Sequence, residues 1–123
     1  MSTLVRFAVL FLFFCAPALA EEVQVGSGPV CDTQKQAERL ASLLGDSVRS
    51  AVMAANAEER DPTACKIADV AYLRGSRIAT VRRKDVTYEI VEILVLGVVT
   101  PAGVQQTAPA VHFSLFPIDE RMA

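Results

Sequence analysis

The chain has 123 residues, with 12 Lys and Arg set against 14 Asp and Glu, one His, and a formal net charge of −2. That balance excludes the strongly basic surface of a nucleic-acid binder, and a single histidine cannot furnish a His-based zinc site. The hydrophobic fraction of 52% is raised by the first twenty residues, and the remainder has the composition of an ordinary globular domain.

Residues 1–20 predict a secretory signal peptide. Arg6 is a short basic leader, 7–15 carries no polar side chain apart from Cys15, and Ala18-Leu19-Ala20 precedes Glu21-Glu22, so cleavage is expected between Ala20 and Glu21. The apolar run is shorter than the roughly 20 residues that cross a bilayer, so no membrane span is expected after cleavage. Phe14 stands where lipoprotein signals carry a small residue, which disfavours lipidation of Cys15. Loss of Arg6 with this segment leaves 11 basic and 14 acidic side chains, a net −3, on 103 residues, the size of one domain. Cys31 and Cys65 then remain in a chain sent to an oxidising compartment, periplasmic or secreted, and two cysteines allow one pairing. The loop that this disulfide closes is worth roughly 3 to 4 kcal/mol in the chain-entropy model.

Residues 21–31 are polar and glycine-rich and read as a flexible N-terminal arm ahead of a single domain at 32–123. Thr33-Gln34-Lys35-Gln36 has the capping-box pattern that starts a helix. Ala37, Leu40, Ala41, Leu44, Val48, Ala51, Val52 and Ala55 recur at three- and four-residue spacing and form one apolar stripe. Gly45 lies inside it and Asp46-Ser47 could cap a second helix, but the phase of the stripe favours one helix, with or without a kink at Gly45. Asn56 and Asp61-Pro62 end the helical region.

From Ile67 the period becomes two. Gly75-Ser76 reads as a hairpin turn, 77–83 as the return strand, and Lys84-Asp85 as the next tight turn. Val86–Thr100 follows, and fifteen extended residues would span roughly 50 Å in a domain about 35 Å across, so this strand must bend. Gly97 is the expected bulge, and 93–99, apolar on both sides, is expected to be covered on both faces. Thr100-Pro101-Ala102-Gly103 is a β-turn leading to a last strand at about 110–116. The expected fold is α+β: one N-terminal amphipathic helix packed on a four-stranded, strongly bent antiparallel β-meander.

The signal peptide, Cys31-Asp32-Thr33, Asn56-Ala57-Glu58, Asp61-Pro62-Thr63-Ala64-Cys65 and Ile93-Leu94-Val95-Leu96-Gly97-Val98-Val99 together resemble a group of small exported proteobacterial proteins of unknown function. The resemblance implies a bacterial exported protein with paired cysteines, and it transfers no activity and no functional residues.

Chemistry-bearing residues are sparse. His112, Ser114 and Asp119 could write a Ser-His-Asp set, but Ser114 is only two residues from His112 on one strand face, a common chance spacing. Glu89 and Glu92 fall on opposite sides of their strand, and with Asp119-Glu120 they read as solvated carboxylates. Gly26-Ser27-Gly28 lacks the Gly-Lys-Ser/Thr of a phosphate loop. One charge feature stands out, Arg74, Arg77, Arg82, Arg83 and Lys84, expected at the two ends of a hairpin as a candidate anion or partner surface. No catalytic, metal or cofactor residue is assigned. The expected function is that of an exported, non-enzymatic binding protein whose partner is an envelope protein or polyanion and not nucleic acid. The alternatives are a small hydrolase or an inhibitor of an envelope enzyme, and a structural envelope component.

Overall fold

The computed structural model describes residues 22–118, and the cleavage position between Ala20 and Glu21, with Asp119 and Glu120, falls outside them. Along the chain run strand β1 (Gln24–Cys31), helices α1 (Gln34–Leu43) and α2 (Val48–Glu59), and strands β2 (Cys65–Arg83), β3 (Val86–Thr100) and β4 (Gly103–Ile118). The class is α+β, with two helices and a four-stranded antiparallel sheet. The strands close into a barrel in the order β1, β2, β3, β4, with β1 returning to β4.

Three expectations need correction. Residues 24–31 are a strand and not a flexible arm: β1 pairs with β2 without a register shift, from Gln24↔Tyr72 to Cys31↔Cys65. Glycine reads as mobility in sequence, but the ladder is made by backbone groups, which glycine supplies as any other residue does. The helix is two helices, because Leu44 turns to extended backbone and Ser47, its hydroxyl accepting from Ser50 N–H, starts a new one. The break moves Val48 out of the stripe and exposes it. Finally, β2 runs straight through Gly75-Ser76, so no hairpin turn exists there. Between Arg74↔Ile93 and Arg77↔Val91, β2 places two residues opposite the single Glu92, which makes a bulge. A Cβ on residue 75 would lie 2.6 Å from the Glu92 carbonyl oxygen, so glycine is present for a close approach of strands and not for a turn.

The turns at Lys84-Asp85 and at Pro101-Ala102 form as expected, joining Arg83↔Val86 and Thr100↔Gly103. Gly97 is also a bulge, where the pairings of β3 with both neighbours shift. Its Cβ would come 2.6 Å from the Gln105 carbonyl.

Two cores result. Ala37, Leu40 and Ala41 of α1 and Ala51, Val52 and Ala55 of α2 share a buried cluster with Ile90, Leu115 and the cysteines. Val30, Val70, Tyr72, Val91, Ile93 and Val95 fill the barrel interior. Ile90 and Val91, adjacent on β3 and therefore on opposite faces, are both fully buried, so the doubly covered point of the long strand is 90–91. Beyond it Leu94 and Leu96 are only half-buried and Val98 is exposed, and the cluster that the two helices share takes only Tyr88 and Ile90 from β3.

Cys31 and Cys65 form a disulfide between facing residues of β1 and β2, 34 positions apart and each 1% exposed. Asn56 of α2 ties into the same point. Its side-chain amide donates to the carbonyls of Cys65 (2.9 Å) and Pro62 (3.0 Å), and its Oδ1 accepts from Cys65 N–H (2.8 Å). Replacement of both cysteines by Ala is expected to lower unfolding free energy by roughly 3 to 4 kcal/mol in denaturant titrations. Gly75→Ala should cost about 1 to 3 kcal/mol through backbone displacement, whereas Gly28→Ala, with open space around its Cβ position, should stay near wild type. Equal midpoints for the two glycine variants would contradict the bulge assignment.

Candidate functional site

A cleft of about 150 Å³ opens into the barrel between β1 and β4. Its floor is Val30, Val70, Tyr72 and Ile93; one wall is the backbone of Gly26-Ser27-Gly28, and the other is Ser114 and Phe116. It exists because the barrel is closed over a short length. Val30 and Cys31 pair with Ser114 and Phe113, and no earlier described residue of β1 pairs with β4. Tyr72 directs its hydroxyl to Gln24 Oε1 at 3.3 Å, at the outer end of β1.

At the Phe116 side the guanidinium of Arg74 lies 4.5 Å from the ring centroid, a favourable cation–π placement. Arg74 Nη2 donates to Glu89 Oε2 at 2.6 Å, and Arg77 Nε donates to Glu89 Oε1 at 3.0 Å. The Glu89 side chain is 14% exposed, and Arg74 and Arg77 are 34% and 53% exposed. Burial alone would push the Glu89 carboxyl upward, but the hydrogen bonds from Arg77 and Arg74, with their charge, outweigh it and hold the group below the usual carboxylate range.

The five candidate cations therefore do not form the expected pair of hairpin clusters. Arg74 and Arg77 meet at Glu89 across the bulge. Arg83 serves the helix instead: its Nε donates to the Leu44 carbonyl and its Nη1 to the Ser42 carbonyl at 2.9 Å, satisfying acceptors that α1 leaves open at its C-terminus. Arg82 Nη1 donates to Thr87 Oγ1 at 3.0 Å. Lys84 is exposed in the turn, with a positive φ of 53°.

His112 is placed near Asp32 and not against a nucleophile. Its buried Nδ1 lies 3.6 Å from Asp32 Oδ1, beyond hydrogen-bond reach, and has no hydrogen-bond partner among the described residues. Ser114 is 6% exposed and its Oγ donates to the Pro29 carbonyl at 2.6 Å, so its proton is committed to the backbone. Glu92 is exposed on the face opposite Glu89. Among the described residues no group of three His, Cys, Asp or Glu is close enough to hold a metal ion.

Sequence reasoning missed the cleft and its walls. Tyr72, Ile93 and Phe116 were legible as one face of alternating strands, but not as lining, because the gap depends on where β1 leaves β4. Comparison of the chain with family models, curated proteins and solved structures finds no match.

The Glu89 carboxyl sits lower in the folded chain than in the unfolded one, so its contribution to stability is present above the unfolded value and lost as pH falls through the folded value. Glu89→Gln is therefore expected to destabilise by about 2 kcal/mol at neutral pH, as loss of hydrogen bonds to a charged group does. The difference should shrink below the carboxylate range. Thermal melts of both proteins from neutral to strongly acid pH test this, and a gap that persists unchanged into acid would refute it.

Proposed function

We propose that the protein is an exported, non-enzymatic binding protein of the bacterial envelope, acting through the open mouth of its barrel. Residues 1–20 carry the pattern of an export signal, and the Cys31–Cys65 bond suits an oxidising compartment, periplasmic or outside the cell. The resemblance to small exported proteobacterial proteins supports the same address. The observation that carries the reading is the cleft itself, an apolar recess bordered on one side by an edge of β1 that pairs with no described residue of β4 and on the other by Phe116, with Arg74 on its ring. In this reading α1 and α2 cover one outer face of the sheet, and the mouth is left to a partner.

A protein partner is favoured over a polyanion. Arg74 and Arg77 share one carboxylate and Arg83 is spent on helix carbonyls, so a phosphate-rich ligand would meet few available guanidinium groups. A hydrolase has less support, since Ser114 is bound to Pro29 and Glu89 is held ionised between two arginines.

Protein recovered from a periplasmic fraction should begin at Glu21, as read by N-terminal sequencing. Used as bait on that fraction, it should retain a partner that an Arg74→Ser, Arg77→Ser double variant retains several-fold less, while Lys84→Ser behaves as wild type. Cytoplasmic retention of the full-length chain would overturn the export reading. An identical partner list for all baits, or none above background, would overturn the binding reading.

A further inference from the structure

The seam between β1 and β4 has unequal edges. Ser114 Oγ reaches the Pro29 carbonyl, so that carbonyl points to the seam. The N–H and C=O of a strand residue point the same way and alternate along the strand, and the β1–β2 register has no shift. The backbone groups of Ser27 and Val25 therefore also point to the seam, while those of Gly26, Gly28 and Val30 serve β2. On the facing strand the same alternation, counted from the Cys31↔Phe113 pair, turns Pro117 toward the seam. Each edge thus carries a proline with no N–H to offer, Pro29 and Pro117, a usual device against indiscriminate edge pairing. Among the described residues Val25 and Ser27 remain as two consecutive outward-facing residues whose donors and acceptors pair with no strand, and both are exposed.

We propose that this edge takes up an extended peptide segment of another protein by strand addition, with one apolar side chain entering the cleft between Gly28 and Phe116. The inference rests on the binding reading above and gives it a ligand class. Two residues of free edge set a short, specific pairing, and alternate side chains of an added strand then point into the barrel. A recess of about 150 Å³ matches one Leu- or Phe-sized group and not a cofactor. Gly26 and Gly28 keep the entrance clear: a Cβ on Gly28 would meet nothing within 4 Å, so the space there is open. Charge selects the peptide further. Among the described residues Arg74 and Arg77 share the single carboxylate of Glu89, which leaves one positive charge in surplus beside Phe116, so an acidic residue flanking the apolar anchor is favoured.

The test uses the full mature chain and two synthetic hexapeptides, acetyl-Thr-Val-Thr-Leu-Thr-Glu-amide and the same peptide with Asn replacing Leu. In ¹⁵N NMR titrations the Leu peptide should shift the Val25 and Ser27 amides saturably and slow their hydrogen exchange, and the Asn peptide should bind at least tenfold more weakly. Ser27→Pro removes a donor that β2 does not use, and Gly28→Val fills the cleft entrance; each should weaken the Leu peptide at least tenfold with melting close to wild type. If either variant melts early, the amide shifts of the wild-type chain still decide. Shifts confined to other surfaces, or equal binding of both peptides, would overturn the proposal. So would a concentration-dependent dimer that Ser27→Pro abolishes, since the edge would then belong to a second copy. Partner capture that survives Ser27→Pro and Gly28→Val would remove the seam site and leave the binding reading standing, whereas loss of capture by every bait removes both.

Discussion

Cys31 stands in the ladder between Cys65 of β2 and Phe113 of β4, so one buried residue closes the barrel by a covalent bond on one side and by backbone pairing on the other. Everything else in the fold is arranged around that point. The helices leave it immediately, through Asp32, whose N–H donates to the Ala64 carbonyl at 2.9 Å, and the chain returns to it at Cys65 after α2. Asn56 supplies Cys65 with a side-chain donor and acceptor and so acts as a one-residue strand partner. Because barrel closure is concentrated there, the strands are free to part on the other side, and the parting is the cleft.

The basic residues illustrate how neighbours decide what a charge does. In sequence, Arg74, Arg77, Arg82, Arg83 and Lys84 are equivalent members of one cluster. In the fold, two of them hold Glu89 ionised, one of these also stacks on Phe116, and one terminates α1. An exposed pair such as Arg39 and Glu58, 2.8 Å apart on the two helices, is by contrast a minor contributor to stability, because water screens it. The Glu89 cluster differs in having its carboxylate largely withdrawn from solvent.

Two glycines make the long strands possible. Strands of 19, 15 and 16 residues exceed the domain they belong to, and they are accommodated by a bulge at Ile78 and by bulges at Gly75 and Gly97, where a neighbouring carbonyl comes within 2.6 Å of the missing Cβ. The extra residues add local twist, which bends the sheet until β4 meets β1. At the Gly97 bulge β4 carries the larger irregularity, with Thr107, Ala108 and Pro109 between its pairings to Gly97 and Val95. Pro109 is tolerated there because no ladder donor is required of it.

What the sequence determined by itself was local. Thr33 and Gln36 announced the capping box, found with both hydrogen bonds in place; the helical stripe named seven of the residues now buried; period-two alternation located β3 and the core of β4; and two cysteines allowed one pairing. These signals depend on neighbours within about four positions, so no fold was needed to read them. The tertiary structure alone decided the rest. That Gln24–Cys31 is a strand depends on β2, 34 to 48 residues away, supplying the partner groups that a glycine-rich segment cannot advertise. That Gly75-Ser76 is a bulge and not a turn depends on Glu92 of β3 lying against it, since the same dipeptide satisfies either geometry. The candidate site was illegible for the same reason: Glu89, Arg74 and Phe116 come from three strands, and the cleft beside them exists because β1 and β4 separate just beyond Val30, a distance between backbones that no residue type encodes.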